Sequence, residues 1–150
     1  MALAADIALL REAPLFGDMT DEQLRLFAFG ARKHVFREGE RLHERGRAAE
    51  GGLVVIMGRL ALTDEHGEER EAEPGALLDE MALFKRARHD ETAVAAEDGA
   101  VMAIPRELFM RMVEEYPGIA EIARSRIADR LNRLLVSVEG PAARLARVRD

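Results

Sequence analysis

The chain has 150 residues, 48% of them hydrophobic and 33% charged, which is enough for one autonomous core and far from the composition of a disordered segment. Its net charge of −6 disfavours sequence-independent nucleic-acid binding, which rests on Lys and Arg neutralising phosphates. Cysteine is absent, which excludes disulfides, thiolate nucleophiles and cysteine zinc sites and suits a reducing cytoplasm.

The first ten residues include Asp6 and lack a basic start, and the longest apolar run, Leu53 to Met57, is too short to span a bilayer. Neither a signal peptide nor a membrane helix is expected. Apolar residues at Leu3, Ile7 and Leu10 mark a short helix that Pro14 closes. Thr20 and Gln23 form a capping box, with Met19 and Leu24 at the staple positions, so a second helix starts at Asp21 and buries Leu24, Phe27, Ala28 and Ala31. Glycines then punctuate short aliphatic segments. The clearest strands are Leu53 to Met57, Leu60 to Thr63, Thr92 to Ala96 and Val101 to Ile104, with weaker ones at Lys33 to Phe36 and Arg41 to Glu44. Turns at Glu65-His66-Gly67 and Glu97-Asp98-Gly99 are expected to close two hairpins. Pro105 opens a helix with inner residues Leu108, Phe109, Met112 and Val113, and Tyr116-Pro117-Gly118 separates it from a longer helix over 117–139.

The expected fold is α+β, mainly β: a double-stranded, jelly-roll-like β-roll flanked by N-terminal helices and a long C-terminal helix. Residues 1–140 form one domain; Gly140 and Pro141 end the last helix, and 141–150 form a disordered tail. Several segments carry a resemblance. Pro14-Leu15-Phe16 with Thr20, Glu22 and Leu24, then Gly39-Glu40-Arg41-Leu42 and Arg45-Gly46, then Val54 to Leu60 resemble the opening helix, first turns and central hairpin of the cyclic-nucleotide-binding domains of catabolite-activator-type regulators and kinase regulatory subunits. The resemblance runs from about Leu9 to Leu135 and implies a non-enzymatic regulatory module whose ligand is cyclic AMP or cyclic GMP.

The family's ligand chemistry lies in a phosphate-binding cassette, here Pro74 to Phe84 continuing to Thr92-Ala93-Val94. The resemblance implies cassette positions at Leu78, Asp79, Glu80, Met81, Ala82, Arg88, Asp90, Thr92 and Ala93. Glu80 falls at the ribose-binding glutamate, Asp79 at a position usually held by glycine, and Asp90 at the phosphate-binding arginine. A carboxylate about 4 Å from a phosphodiester costs on the order of 4 kcal/mol at an effective dielectric near 20, so nucleotide binding is expected to be weak or altered. Arg86 or Arg88, in the same loop, offers a substitute cation. Leu134 and Leu135 stand where the family's base-capping polar residues lie, which weakens adenine recognition.

His34, His43, His66 and His89 invite comparison with a cupin-like metalloenzyme, but no two lie within a short strand alternation, and no metal site is expected. Ser125 and Ser137 have no histidine partner on their helix, so no nucleophilic triad is indicated. Ala123, Ile127, Leu131, Leu134 and Val138 form an apolar seam, and in the related regulators this helix pairs two subunits. A homodimer is therefore expected; the alternative function is a structural or protein-interaction module that dimerises through this helix and binds no nucleotide. A dozen residues follow Val138, too few for a three-helix DNA reader, so neither DNA nor membrane is an expected partner of the chain.

Overall fold

In the computed structural model the backbone of residues 2–149 and the side chains of residues 3–135 are described. Helices α1 (Ala2–Glu12) and α2 (Asp21–Gly30) lead into the strands. The Thr20 hydroxyl accepts from the Gln23 amide at 3.2 Å while the Gln23 side chain accepts from the Thr20 amide at 3.0 Å, the reciprocal cap that the sequence implies. Leu24 and Phe27, one turn apart, are fully buried.

Ten strands follow: β1 (Arg32–Phe36), β2 (Arg41–His43), β3 (Ala48–Ala49), β4 (Gly51–Met57), β5 (Leu60–Thr63), β6 (Glu69–Ala72), β7 (Leu77–Leu78), β8 (Ala87–Arg88), β9 (Thr92–Ala95) and β10 (Gly99–Pro105). They form two four-stranded antiparallel sheets, β1-β10-β4-β7 and β2-β9-β5-β6, plus the short pair β3-β8. One expected hairpin is present, β5 with β6 around Gly67. The other is not: β9 and β10 lie in different sheets, so Glu97-Asp98-Gly99 carries the chain across the roll, and β4 and β5 are separated in the same way at Gly58. The two crossings abut. A Cβ on Gly58, at φ +79°, would lie 2.5 Å from the Asp98 carbonyl, so only glycine fits there.

The core has two layers. Phe36, Val55, Leu60, Leu62, Ala93 and Val101 fill the space between the sheets. Leu10, Phe16, Phe27, Phe109 and Ile119 cover the outer face of the first sheet together with Val54, Met102 and Ile104. Adjacent residues of β4 and β10 thus point into different cores, which explains why these strands read as continuous apolar runs instead of alternating. Within the first sheet, a Cβ on Gly51 would sit 2.0 Å from the Ile104 carbonyl. Gly51→Ala must force the paired backbones of β4 and β10 apart, and we expect a loss of about 3 kcal/mol or more, read by calorimetry as a melting point at least ~6 °C lower.

Helices α3 (Arg106–Glu115) and α4 (Pro117–Arg149) close the chain, separated at Tyr116 as expected. α4 runs Pro117–Arg149, past the end that Gly140 and Pro141 suggest. A proline removes one helical hydrogen bond, and Ala142-Ala143-Arg144-Leu145 beyond it are strong helix formers. Among the described residues, no helix is long and apolar enough to cross a membrane.

Candidate functional site

Between β7 and β9 the chain leaves the sheets and winds through Asp79 into a 3₁₀ helix, Glu80–Leu83, before returning through β8. Packing fixes this excursion from below. Ala82 and Leu83 are buried, and the Phe84 ring meets Phe109 of α3 edge-on at 5.2 Å. Arg106, at the start of α3, donates to the carbonyls of Ala82 at 2.9 Å, Ala49 at 3.2 Å and Lys85 at 3.3 Å, satisfying acceptors that a buried loop would otherwise leave unpaired.

Glu80 is 6% exposed, and both of its carboxylate oxygens are taken. Arg126 Nε donates to Oε2 at 2.5 Å and Arg126 Nη2 to Oε1 at 3.1 Å, while Arg130 Nη1 donates to Oε1 at 2.9 Å. The two arginines stand four apart on α4, so one face of that helix clamps the carboxylate. Hydrogen bonding to Glu80 in turn lifts the Arg126 guanidinium above its ordinary pKa. Leu134 and Leu135, expected from the sequence at the pocket's helix contacts, are exposed instead. Arg126 and Arg130 were legible only as an i, i+4 basic pair flanking the apolar seam.

Asp79 adopts the left-handed conformation at φ 58°, ψ 40°, which glycine takes more readily, and its side chain makes no hydrogen bond to the 3₁₀ helix it precedes. It turns instead to two histidines. His89 Nδ1 lies 2.8 Å and His43 Nε2 3.5 Å from Asp79 Oδ2, and the two imidazoles stack at 3.8 Å with planes 1° apart. Burial and then His89 push the His43 imidazole below the usual histidine pKa, against the opposing pull of Asp79 and the Glu91 main chain. The chain fold thus brings together two histidines that sequence spacing separates by 46 positions, a proximity that the search for a short strand alternation could not find.

A cleft of about 540 Å³ opens over the excursion. Four acids line it, Asp79, Glu80, Asp90 and Glu91. Five cations face them, Arg70, Lys85, Arg86, Arg88 and Arg130. Arg70 grips Glu91 through two hydrogen bonds of 2.8 and 2.7 Å, and Arg88 donates to the Gly46 carbonyl at 2.7 Å. Among the described residues, Lys85, Arg86 and Asp90 make no ion pair. Asp90 is exposed at the rim, and Met81 is half-buried in the wall. Leu78 lines the cleft but packs into the inter-sheet core, as does Ala93, while the Thr92 hydroxyl accepts from the Arg45 amide at 3.0 Å; Ala93 and Thr92 serve the scaffold.

The model of the cyclic nucleotide-binding domain matches residues 33–116. A solved structure of a cyclic nucleotide-binding-like protein from Brucella abortus is 37% identical, with a TM-score of 0.65 over 73% of this chain and 97% of that one. The chain belongs to the cyclic nucleotide-binding domain family. Its fold is that of a cyclic nucleotide-binding β-roll flanked by helices, and the N-terminal domain of a Streptomyces coelicolor transcriptional regulator superposes with a TM-score of 0.77 at 23% identity over 87% of this chain and 94% of that one. The cyclic AMP receptor protein of Thermus thermophilus is 26% identical over 127 residues, 81% of this chain and 59% of that protein. The chain therefore spans under two thirds of that relative's length.

Within this cyclic nucleotide-binding domain the expected seam of α4 divides. Ala123 is 6% exposed and belongs to the chain's own core with Ile119, so it is not free to meet a partner. Ile127 is half-buried, Leu131 and Leu134 are more than half exposed, and the Val138 side chain lies outside the described residues. The small Ala123 side chain sits in the chain's own core, Arg126 and Arg130 still reach Glu80, and residues 131–135 are exposed.

Proposed function

We propose that this chain is a non-enzymatic regulatory module of the cyclic nucleotide-binding type in which cyclic AMP or cyclic GMP binds weakly or with altered specificity. The observation that carries the reading is the clamp on Glu80. A ribose hydroxyl needs a free carboxylate acceptor, and here Arg126 and Arg130 already take three of the roughly four acceptor sites of Glu80, with a guanidinium on each oxygen. Entry of a nucleotide requires α4 to release Glu80 or to reorganise around it, and that cost is subtracted from affinity. Asp90 at the cleft rim adds repulsion toward a phosphate, softened by its exposure, and Lys85 and Arg86 supply cations without placing either in a preformed fork.

Reversing the charge at the rim tests this assignment. At about 4 Å in water a unit charge pair is worth ~1 kcal/mol, so Asp90→Arg changes a repulsion into an attraction worth about 2 kcal/mol in all. We expect the variant to bind a fluorescent cyclic nucleotide roughly 30-fold more tightly than the unaltered chain. An unchanged affinity would show that Asp90 does not face the phosphate.

Exposed Leu131, Leu134 and Leu135 support a second element of the reading, that two copies pair through α4. The four-three spacing of Ile127, Leu131 and Leu134 suits a helix-helix seam between identical chains. In the structural-module alternative that pairing is the whole function and the cleft stays without nucleotide.

A further inference from the structure

His43, Asp79 and His89 come from three separate segments, β2, the entry to the 3₁₀ helix and the end of β8, and their ligating atoms all lie within 4.8 Å of one another. The side chains are 9, 11 and 12% exposed. Two features are poorly explained by hydrogen bonding within the chain alone. Both ring nitrogens of His43 are buried, and their approaches to the Glu91 main chain and to Asp79 Oδ2, at 3.5 Å, fall short of hydrogen bonds of normal geometry, a condition rare for a buried polar group. Asp79 holds a left-handed backbone that disfavours any side chain with a Cβ, and forgoes capping its helix, in order to present its carboxylate to the two rings.

We propose that His43, Asp79 and His89 form a binding site for a divalent transition metal ion of the zinc class. Two imidazoles and one carboxylate are a donor set that such ions favour, and a single ion would supply the partner that the His43 ring lacks. Metal–ligand bonds of about 2.0 to 2.2 Å place the donors of a tetrahedral ion roughly 3.3 to 3.6 Å apart, so donors that now lie within 4.8 Å of one another close by up to roughly 1.5 Å and the parallel rings tilt toward the ion. His43 and His89 also line a second cleft, of about 560 Å³. The site lies beside the clamp on Glu80 and uses none of the residues that clamp it; it stands whether or not a nucleotide binds.

The full chain, stripped with chelator and titrated with Zn²⁺ and with Co²⁺, is expected to bind one ion per chain, with the Co²⁺ form showing the visible absorption of nitrogen and oxygen coordination. At a hundredfold excess over the dissociation constant the melting temperature should rise by roughly 5 to 10 °C. Asp79→Gly, which suits the left-handed backbone and therefore folds, and His43→Gln should each weaken binding about 100-fold, while His34→Gln, at an exposed histidine paired with Glu40, leaves it unchanged. Absence of binding at micromolar metal, undiminished binding by Asp79→Gly, or loss of binding in His34→Gln would each overturn the proposal.

Discussion

Replacing both Arg126 and Arg130 by alanine lowers the melting temperature by roughly 6 to 20 °C, the counterpart of about 3 to 5 kcal/mol for stranding a buried charge. The size follows from the asymmetry of the clamp. The arginines are partly exposed, 22 and 43% at their side chains, and lose little on removal, whereas Glu80, 5% exposed at its side chain with the arginines in place, loses both cations and its three side-chain hydrogen bonds. The remedy separates this cause from lost packing along the arginine stems. Glu80→Gln, placed on the double-alanine background, removes the stranded charge and should recover at least half of the lost stability. In the unaltered background the same substitution strands no deeply buried ion and costs less, so calorimetry on the four proteins should show losses that fall well short of their sum. Additive losses would show that the clamp is a surface contact without consequence for the cleft.

Leu131→Asp should halve the sedimenting mass. Leu131, Leu134 and Leu135 are 54, 57 and 53% exposed on a helix that runs beyond the roll, and burial of one leucine is worth about 1.5 to 3 kcal/mol. In a symmetric pair each seam position occurs twice, so one substitution removes two leucines and sets two carboxylates near the axis. Dimerisation should weaken by three orders of magnitude or more. Ala123→Asp would instead unfold the chain, because that position lies in its own core. A monomer for the unaltered chain at high micromolar concentration, or a dimer that survives Leu131→Asp, rules out this seam.

Local chemistry made much of the architecture readable. The Thr20–Gln23 box fixed the start of α2, Pro105 and Pro117 marked the last two helices, and the aliphatic runs at β4, β5, β9 and β10 stood out because β4 and β10 are buried on both faces. Strands β3, β7 and β8 escaped notice because two residues carry no periodicity, and β6 because Glu69-Arg70-Glu71 reads as a solvated turn. Sheet assignment was also hidden: a turn such as Glu97-Asp98-Gly99 looks alike whether the chain folds back or crosses the roll. At the site, the order of cassette residues pointed to Glu80 through family resemblance. Its partners could not be seen, since they lie 46 and 50 positions away and only the closure of α4 onto the roll brings them near. The same holds for His43 and His89, which meet only because β2 and the end of β8 flank one opening.

Calorimetric titration of the unaltered chain with cyclic AMP and cyclic GMP asks whether the carboxylate suited to a ribose is already held by two arginines of the chain itself. Dissociation constants weaker than about 10 μM for both nucleotides, or no measurable heat, are expected. Submicromolar binding of either one would contradict a ribose-site carboxylate held by the chain's own helix.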